Sequence, residues 1–524
     1  MTATHRRICA IAFFLLSLAP SAYLAYHWRT MPHLGFYHDD GIYWIGAKSL
    51  AQSNGYKILS IPGQPYQTKY PPLFPALLAL AWLWNPSFPA NLPIATMLTW
   101  LALPAYLLLV RALLKQYAFS PTERTVLCLI AGVNPFCALL SFSLMPELLF
   151  TSLLLLSLIL AERRTSLNGI GIAGVVAGLA YLTRAAALPL LVTVPVALVL
   201  RNKYKQAAVF ALAMFPAIAG WQFWTRSHLS PSHDLVTLYY TNYLAFWLDN
   251  ISLATLPSLM WHNLDAFLIA TGKLLLFDLG PIGSKHIERV VAIAAISGVV
   301  RLARRTGHLQ YPLAALAYSA MLLIWHYQPD QRFVFPLYPL LLAGFWIETR
   351  NMLHALKTSW DKRGSERFAA VIGSAAFAAF AAFVLFTHLF GLFRLIPDLM
   401  GVYQADLDHR RPAYEWISKQ LPGSAKVFAY DDPLLFLYTG HESCNLPLPP
   451  KLFYYDDAAI GRLVDTIPDF ARQQRLDYLL VTSTDFYRDL HEGGFHQLAA
   501  AVQSNPRVER TFSSPTASIY RLLP

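Results

Sequence analysis

Long apolar runs separated by short polar stretches set the pattern of this 524-residue chain. The first run covers residues 8–26, behind His5-Arg6-Arg7. Others fall near 91–110, 126–142, 148–161, 168–183, 186–200, 206–224, 289–301, 311–326, 333–347 and 368–392. A helix of about 20 apolar residues crosses the hydrocarbon core of a bilayer. The pattern therefore predicts a polytopic α-helical membrane protein with about eleven transmembrane helices. Ala19-Pro20-Ser21-Ala22 resembles a signal-peptide cleavage region, but so many later runs favour an uncleaved first span.

Basic clusters recur between the runs: Arg111/Lys115/Arg124, Arg163/Arg164, Arg201/Lys203/Lys205, Arg301/Arg304/Arg305 and the stretch Lys357–Arg367. Cytoplasmic loops carry such an excess of Lys and Arg, so these clusters predict an N-terminus inside and a C-terminus outside. Residues 27–90 then lie entirely outside. Within them Pro72–Trp84 is apolar but short and bounded by prolines, which predicts a re-entrant or interfacial helix instead of a span. A second outer region, roughly 225–288, holds the aromatic-rich piece Tyr239–Trp247. Residues 264–280 there are apolar but interrupted by Asp265, Lys273 and Asp278, and read as lying on the membrane surface.

After Pro397 the pattern changes. Tyr414–Gln420 reads as a helix stopped by Leu421-Pro422-Gly423, and Lys426–Tyr430 and Tyr478–Thr482 read as buried strands. Ile460–Arg475 and Phe495–Gln503 read as helices. Alternating strands and helices predict a small C-terminal α/β domain at 398–524, periplasmic by the charge rule, after a membrane domain at 1–397.

Composition agrees. Hydrophobic residues make up 56% of the chain and charged residues only 14%, well below the level of soluble domains. The net charge is +11, yet residues 398–524 hold 12 Lys+Arg against 16 Asp+Glu, so the basic surplus lies before them. Basic clusters flanking apolar runs are membrane-topology signals, and no nucleic-acid partner is expected. Cys9, Cys128, Cys137 and Cys444 show no metal-type spacing and predict no structural disulfide.

The candidate chemistry lies at the predicted outer edge. Tyr37-His38-Asp39-Asp40 follows the first run, and paired carboxylates serve as a general base, a metal ligand or both. Taken alone such a pair also reads as a solvated loop or a helix cap. Lys69, in Tyr66-Gln67-Thr68-Lys69-Tyr70-Pro71-Pro72, is placed to meet a lipid phosphate or to snorkel at the interface. Glu147 follows Pro146 beside an apolar run, where an acid must be solvated, paired or used. Arg184 and Arg332 occupy two further outer hairpins. Acids and cations converging on one membrane face suit an enzyme handling an anionic lipid phosphate.

On these residues the chain resembles the bacterial GT-C glycosyltransferases that use polyprenyl-phosphate-linked sugars, among them the aminoarabinose transferases of lipid A and relatives of the protein O-mannosyltransferases. The family's acidic pair after the first span reads Asp39-Asp40-Gly41-Ile42-Tyr43, with Asp in place of the usual Glu. Further similar motifs, in order, are Lys69-Tyr70-Pro71-Pro72, Ser143 through Glu147, Gly178-Leu179-Ala180-Tyr181-Leu182-Thr183-Arg184, Arg332-Phe333 through Pro336 and Pro339, and Asp431-Asp432-Pro433 with Tyr438-Thr439-Gly440.

The resemblance implies transfer of a sugar, usually with inversion, from a lipid phosphate on the outer leaflet to a hydroxyl of a glycolipid, polysaccharide or protein. It makes Asp39 the general base. Asp40 and Glu147 orient the acceptor, tune that base or hold a divalent metal. Lys69, Arg184 and Arg332 bind the donor phosphate. It also places the chain in a bacterial inner membrane. Asp431-Asp432 reads as a capped turn before Pro433.

Two other classes compete. A lipid-linked saccharide flippase needs polar groups through the membrane midplane, and one built from inverted repeats needs an internal repeat, which is not evident here. An O-antigen ligase or polymerase lacks, as a class, the acidic pair after the first span.

Overall fold

The computed structural model describes residues 3–231, 234–277, 285–360, 365–448, 457–486 and 494–523. Asp278, with parts of the second outer region and of the last basic loop, lies outside the described residues. Helix α1 (Ala3–His27) leads into a region holding α2 (Asp39–Ala51) and α3 (Leu73–Trp84). The bundle continues with α4 (Leu92–Trp100), α5 (Ala102–Gln116), α6 (Pro121–Gly132), α7 (Pro135–Ser141), α8 (Glu147–Arg163), α9 (Leu167–Thr183), α10 (Leu190–Val199) and α11 (Tyr204–His228). A second connecting region holds α12 (Leu235–Thr241), α13 (Tyr243–Asn250) and α14 (Leu256–Leu276). Helices α15 (Lys285–Thr306), α16 (Gln310–Leu323), α17 (Gln331–Val334), α18 (Tyr338–Trp360) and α19 (Ser365–Phe390) complete the bundle.

Several starts are fixed by side chains that satisfy free amide groups. Ser120 and Glu123 form a capping box on α6, Asn134 caps α7, Ser166 caps α9 and Asp330 caps α17. Small residues bring the helices together. A methyl group on Gly174 of α9 would stand 2.5 Å from the Phe210 carbonyl oxygen of α11. Gly298 of α15 lies against the Gly344 backbone of α18 just as closely. Without a hydrophobic drive between helices in lipid, such close backbone approach is what packs them.

Among the described residues three helical stretches are long and apolar enough to cross a membrane: Leu92–Gln116, Tyr204–His228 and Ser365–Gln420. The pair α6 and α7, bent by 63°, adds a fourth if it is one broken span. Eleven spans are thus not established. Most other expected runs do form helices, such as α9 with 17 residues and α16 with 14, but these fall short in length or apolarity. Helix α3, with 12 residues, is about 18 Å long and too short to span alone. It packs against α2 and leaves Leu80, Leu83 and Trp84 exposed. The stretch 264–280 falls largely in α14, whose apolar side packs on α15 instead of lying apart from the bundle.

The C-terminal part holds a five-stranded sheet of order β2-β1-β3-β5-β4: β1 (Val427–Phe428), β2 (Ser443–Cys444), β3 (Tyr478–Thr482), β4 (Val508–Ser513) and β5 (Ala517–Leu522). Strand β1 runs parallel to β2 and β3, and β5 runs antiparallel to β3 and β4. Side chains alternate across β3. Leu479 and Val481 face Phe470, Leu498 and Val502, while Leu480 faces Tyr414 and Ile417 of α20 (Ile396–Gln420). The expected helix Ile460–Arg475 is two helices, Asp457–Val464 and Ile467–Gln473, with Pro468 in the first turn of the second.

Two features tie this domain to the bundle. Helix α20 continues α19 through a π-turn at Gly391–Leu395, so the compositional change at Pro397 falls inside one unbroken helical stretch. Ile42, Ile58, Ile61, Val236 and Tyr240, from the two connecting regions, also pack into the core beneath the sheet.

Candidate active site

A cavity of about 1000 Å³ lies where the bundle meets the C-terminal part that holds the sheet. Asp39, Tyr70, Arg184 and Arg332 line it from the bundle side, and Arg410 and Asp431 from the other. Asp39 opens α2, where an acid suits the positive end of the helix. Arg332 sits in the first turn of α17, held there because Asp330 accepts a hydrogen bond from the Phe333 amide at 3.1 Å. Arg184 follows the last residue of α9 in extended backbone, and Glu147 opens α8 after Pro146.

These groups form one ionic chain. Arg332 Nη1 donates to Asp39 Oδ2 at 2.9 Å, and its Nε lies 3.7 Å from Glu147 Oε1. Arg184 pairs with the same Glu147 oxygen. The Tyr70 hydroxyl donates to Asp39 Oδ1 at 2.5 Å. Arg332 also lies over the rings of Phe333 and Tyr37, at 4.8 and 5.3 Å from their centroids. Burial pushes the Asp39 carboxyl upward, but Arg332, Lys69 and the Tyr70 hydroxyl outweigh it and hold the group below the usual carboxylate range.

The sequence-predicted residues divide. Asp39, Arg184 and Arg332 face the cavity, whereas Asp40, Glu147 and Lys69 do not line it. Lys69 lies behind, its ammonium 4.4 Å from the Tyr239 ring centroid and 4.9 Å from that of Tyr70. Burial pulls it down to about 8, Arg332 adds to this, and Asp39 opposes it. Asp40 is buried and turned to the backbone, accepting from the Gly35 amide at 3.0 Å and the Gly41 amide at 2.9 Å.

Asp40 and Glu147 do not fit a divalent metal. Both Asp40 oxygens are taken by amides, and Glu147 is bound by two guanidinium groups that would repel a cation. Among the described residues no group of three His, Cys, Asp or Glu side chains is placed to hold an ion.

The turn-cap reading of Asp431 and Asp432 is corrected. Asp431 makes no side-chain cap of α21 (Asp432–Thr439) and pairs with Arg410 of α20. Asp432 is completely buried and accepts from His38 Nε2 at 3.0 Å and from the Tyr240 hydroxyl at 2.8 Å. Charged and hydroxyl donors from distant segments win these carboxylates from the local amides. Sequence reasoning missed His38, Tyr70, Tyr240 and Arg410. The available signals were the adjacency of His38 to the acid pair, that of Tyr70 to Lys69, and the aromatic-rich piece holding Tyr240.

Asp40 gives a stability prediction. Burial, the largest influence, raises it to about 7 from an ordinary 3.8, with Asp39 adding to the rise and the two amides opposing it. The folded protein therefore binds more protons between those two values, and stability falls as pH rises across that window. Thermal unfolding of the detergent-solubilised protein at pH 5 and pH 8 is expected to show a larger loss for wild type than for Asp40→Asn. Equal losses would remove Asp40 as a source of the slope.

No protein-family model and no curated protein matches the sequence. Among solved structures, ArnT from Cupriavidus metallidurans bound to undecaprenyl phosphate is similar over 99% of this chain and 98% of its own, at 12% identity and a TM-score of 0.54. The archaeal oligosaccharyltransferase AglB from Archaeoglobus fulgidus, in complex with an inhibitory peptide and a dolichol-phosphate, is similar over 97% of this chain and 73% of its own, at 12% identity and a TM-score of 0.52. An Archaeoglobus fulgidus oligosaccharyltransferase in the apo form is similar over 98% of this chain and 74% of its own, at 10% identity and a TM-score of 0.53. The chain shares the overall fold of these solved structures.

Proposed function

We propose that the protein is an inverting glycosyltransferase that moves a sugar from a polyprenyl-phosphate donor to a hydroxyl of a glycolipid, polysaccharide or protein, on the outer face of a bacterial inner membrane. The observation that carries this reading is one carboxylate, Asp39, facing the same cavity as two guanidinium groups, Arg184 and Arg332, and hydrogen-bonded to the second. Asp39 takes the acceptor proton as the acceptor oxygen bonds to the anomeric carbon. The bond from that carbon to the phosphate oxygen breaks, and its electron pair stays on the phosphate. Arg184 and Arg332 face that growing charge, and Lys69 adds positive potential from behind the aromatic wall. Preorganised cations at a developing anion lower the barrier because the charge is larger in the transition state than before it. Asp40 supports this machinery by holding the Gly35–Gly41 loop. Glu147 bridges the two arginines through one carboxylate oxygen and keeps them in place.

The undecaprenyl phosphate and dolichol phosphate bound to the structurally similar proteins support a lipid-phosphate donor. The test is transfer of radiolabelled sugar in membranes, from a panel of polyprenyl-phosphate sugars and from nucleotide sugars. Label is expected to move only from the lipid-linked donors. Transfer from a nucleotide sugar in membranes stripped of polyprenyl phosphate would overturn the reading.

A further inference from the structure

The backbone before Asp39 is strained, and the C-terminal domain holds it. His38 has φ 58° and ψ −46°, and the Asp39 amide donates to the Tyr37 carbonyl at 2.6 Å. This is a γ-turn of the rare form, centred on a residue that is not glycine. Such strain persists only where the surroundings over-determine it. Here they do so from three directions. The Asp432 carboxylate accepts from His38 Nε2 at 3.0 Å. Tyr240 donates to the same carboxylate oxygen at 2.8 Å and lies 3.2 Å from the same ring nitrogen. The Ser443 hydroxyl donates to the Asp432 carbonyl at 2.8 Å, tying the start of α21 to β2.

The steric fit repeats the message without any charge. A methyl group on Gly41 would stand 2.6 Å from Pro433 Cβ, and one on Gly35 would stand 2.7 Å from Leu434 Cδ1. Helix α21 therefore seats directly on both ends of the loop that carries His38 and Asp39. A turn released from this clamp would relax toward negative φ and swing the Asp39 amide, and with it the carboxylate, away from Arg332.

We propose that Asp432 is a positioning residue of the active site: through His38 it holds the γ-turn that aims Asp39 into the cavity. The C-terminal domain is then a working part of the site and not only a cover. This inference rests on the reading of Asp39 as the proton acceptor.

The experiment uses the full-length protein in membranes and in detergent. Asp432→Ala is expected to lower kcat by about 10²-fold, the cost of a misplacement of about 1 Å, while leaving KM for the lipid-linked donor nearly unchanged. Asp432→Asn keeps an accepting oxygen and is expected to recover most of that loss. Gly41→Ala touches no charge yet pushes α21 off the loop, and is expected to lower kcat similarly. Adding Pro433→Gly removes the clashing atom and is expected to restore activity. Hydrogen–deuterium exchange supplies a readout independent of transfer: amides of residues 33–41 are expected to exchange faster in Asp432→Ala, with the bundle unchanged. If wild type transfers sugar and Asp432→Ala matches it, or if exchange at 33–41 does not change, the positioning role is overturned and the role of Asp39 stands. If wild type moves no sugar from any donor while exchange at 33–41 still rises in the variant, the enzymatic reading fails and the clamp remains.

Discussion

Asp39→Asn is expected to lower kcat by about 10²–10⁴-fold, the range that a positioned general base contributes. The substitution keeps the size of the side chain and an oxygen for the Arg332 and Tyr70 donors, which now meet at 2.9 and 2.5 Å. It removes the ability to take a proton. The loss should therefore appear in kcat, with KM for the donor close to that of wild type, because the donor phosphate is held by other groups. Wild type should lose activity only toward low pH, since Arg332, Lys69 and Tyr70 overcome burial and keep the carboxyl below its ordinary range. Single-turnover transfer from a preloaded donor measures the chemical step directly. An Asn variant that matches wild type there would remove Asp39 from the chemistry. Asp40 is the poor substitute, since both its oxygens accept backbone amides and it does not line the cavity.

The sequence carried much of this site because its groups sit beside unmistakable local signals. Asp39 and Asp40 follow an apolar run and open a helix, and Glu147, Arg184 and Arg332 each lie at the edge of one. Charge at the end of an apolar segment is conspicuous because it is costly there. Their assembly into one ionic chain follows from the fold, and no local pattern encodes it. Which acid of the pair faces the cavity was not. Neighbouring residues at a helix start point about 100° apart, and only the Gly35 amide reveals that Asp40 turns inward.

The C-terminal domain was legible in outline only. Strand β3 reads clearly as a run of apolar residues and β1 lies inside the expected strand 426–430, whereas β2, of two residues, carries no periodicity to detect. The edge strand β4 is largely exposed and polar, so it lacks the apolar signal. The contact between His38 and Asp432 joins residues 394 positions apart, and no local pattern encodes such a pair. The capped-turn reading of Asp432 failed for that reason. Its true partners, His38 and Tyr240, come from two connecting regions that fold against the sheet, and Tyr240 shares its core.

Arg332→Ala should lower kcat by about 10²–10³-fold, as the removal of one donor at a developing anion does elsewhere. Arg332 is the hinge of the ionic chain, reaching Asp39 through Nη1 at 2.9 Å and Glu147 through Nε at 3.7 Å. A donor phosphate competing for this guanidinium would loosen its hold on Asp39 and raise the proton affinity of the base when the acceptor needs it. Removing Arg332 makes that release permanent, because the Asp39 carboxyl loses the strongest of the groups holding it down. A base must be ionised to act, so rate falls as pH drops through its titration. In Arg332→Ala the acid limb of the kcat profile should lie at higher pH than in wild type. Arg332→Lys keeps the charge but loses the fork that reaches two carboxylates at once, and should fall between the two. The folded protein should survive the change, since Glu147 keeps Arg184 as a partner. A variant whose KM rises while kcat and the acid limb stay fixed would show that Arg332 binds donor and transition state equally, and would separate it from the base.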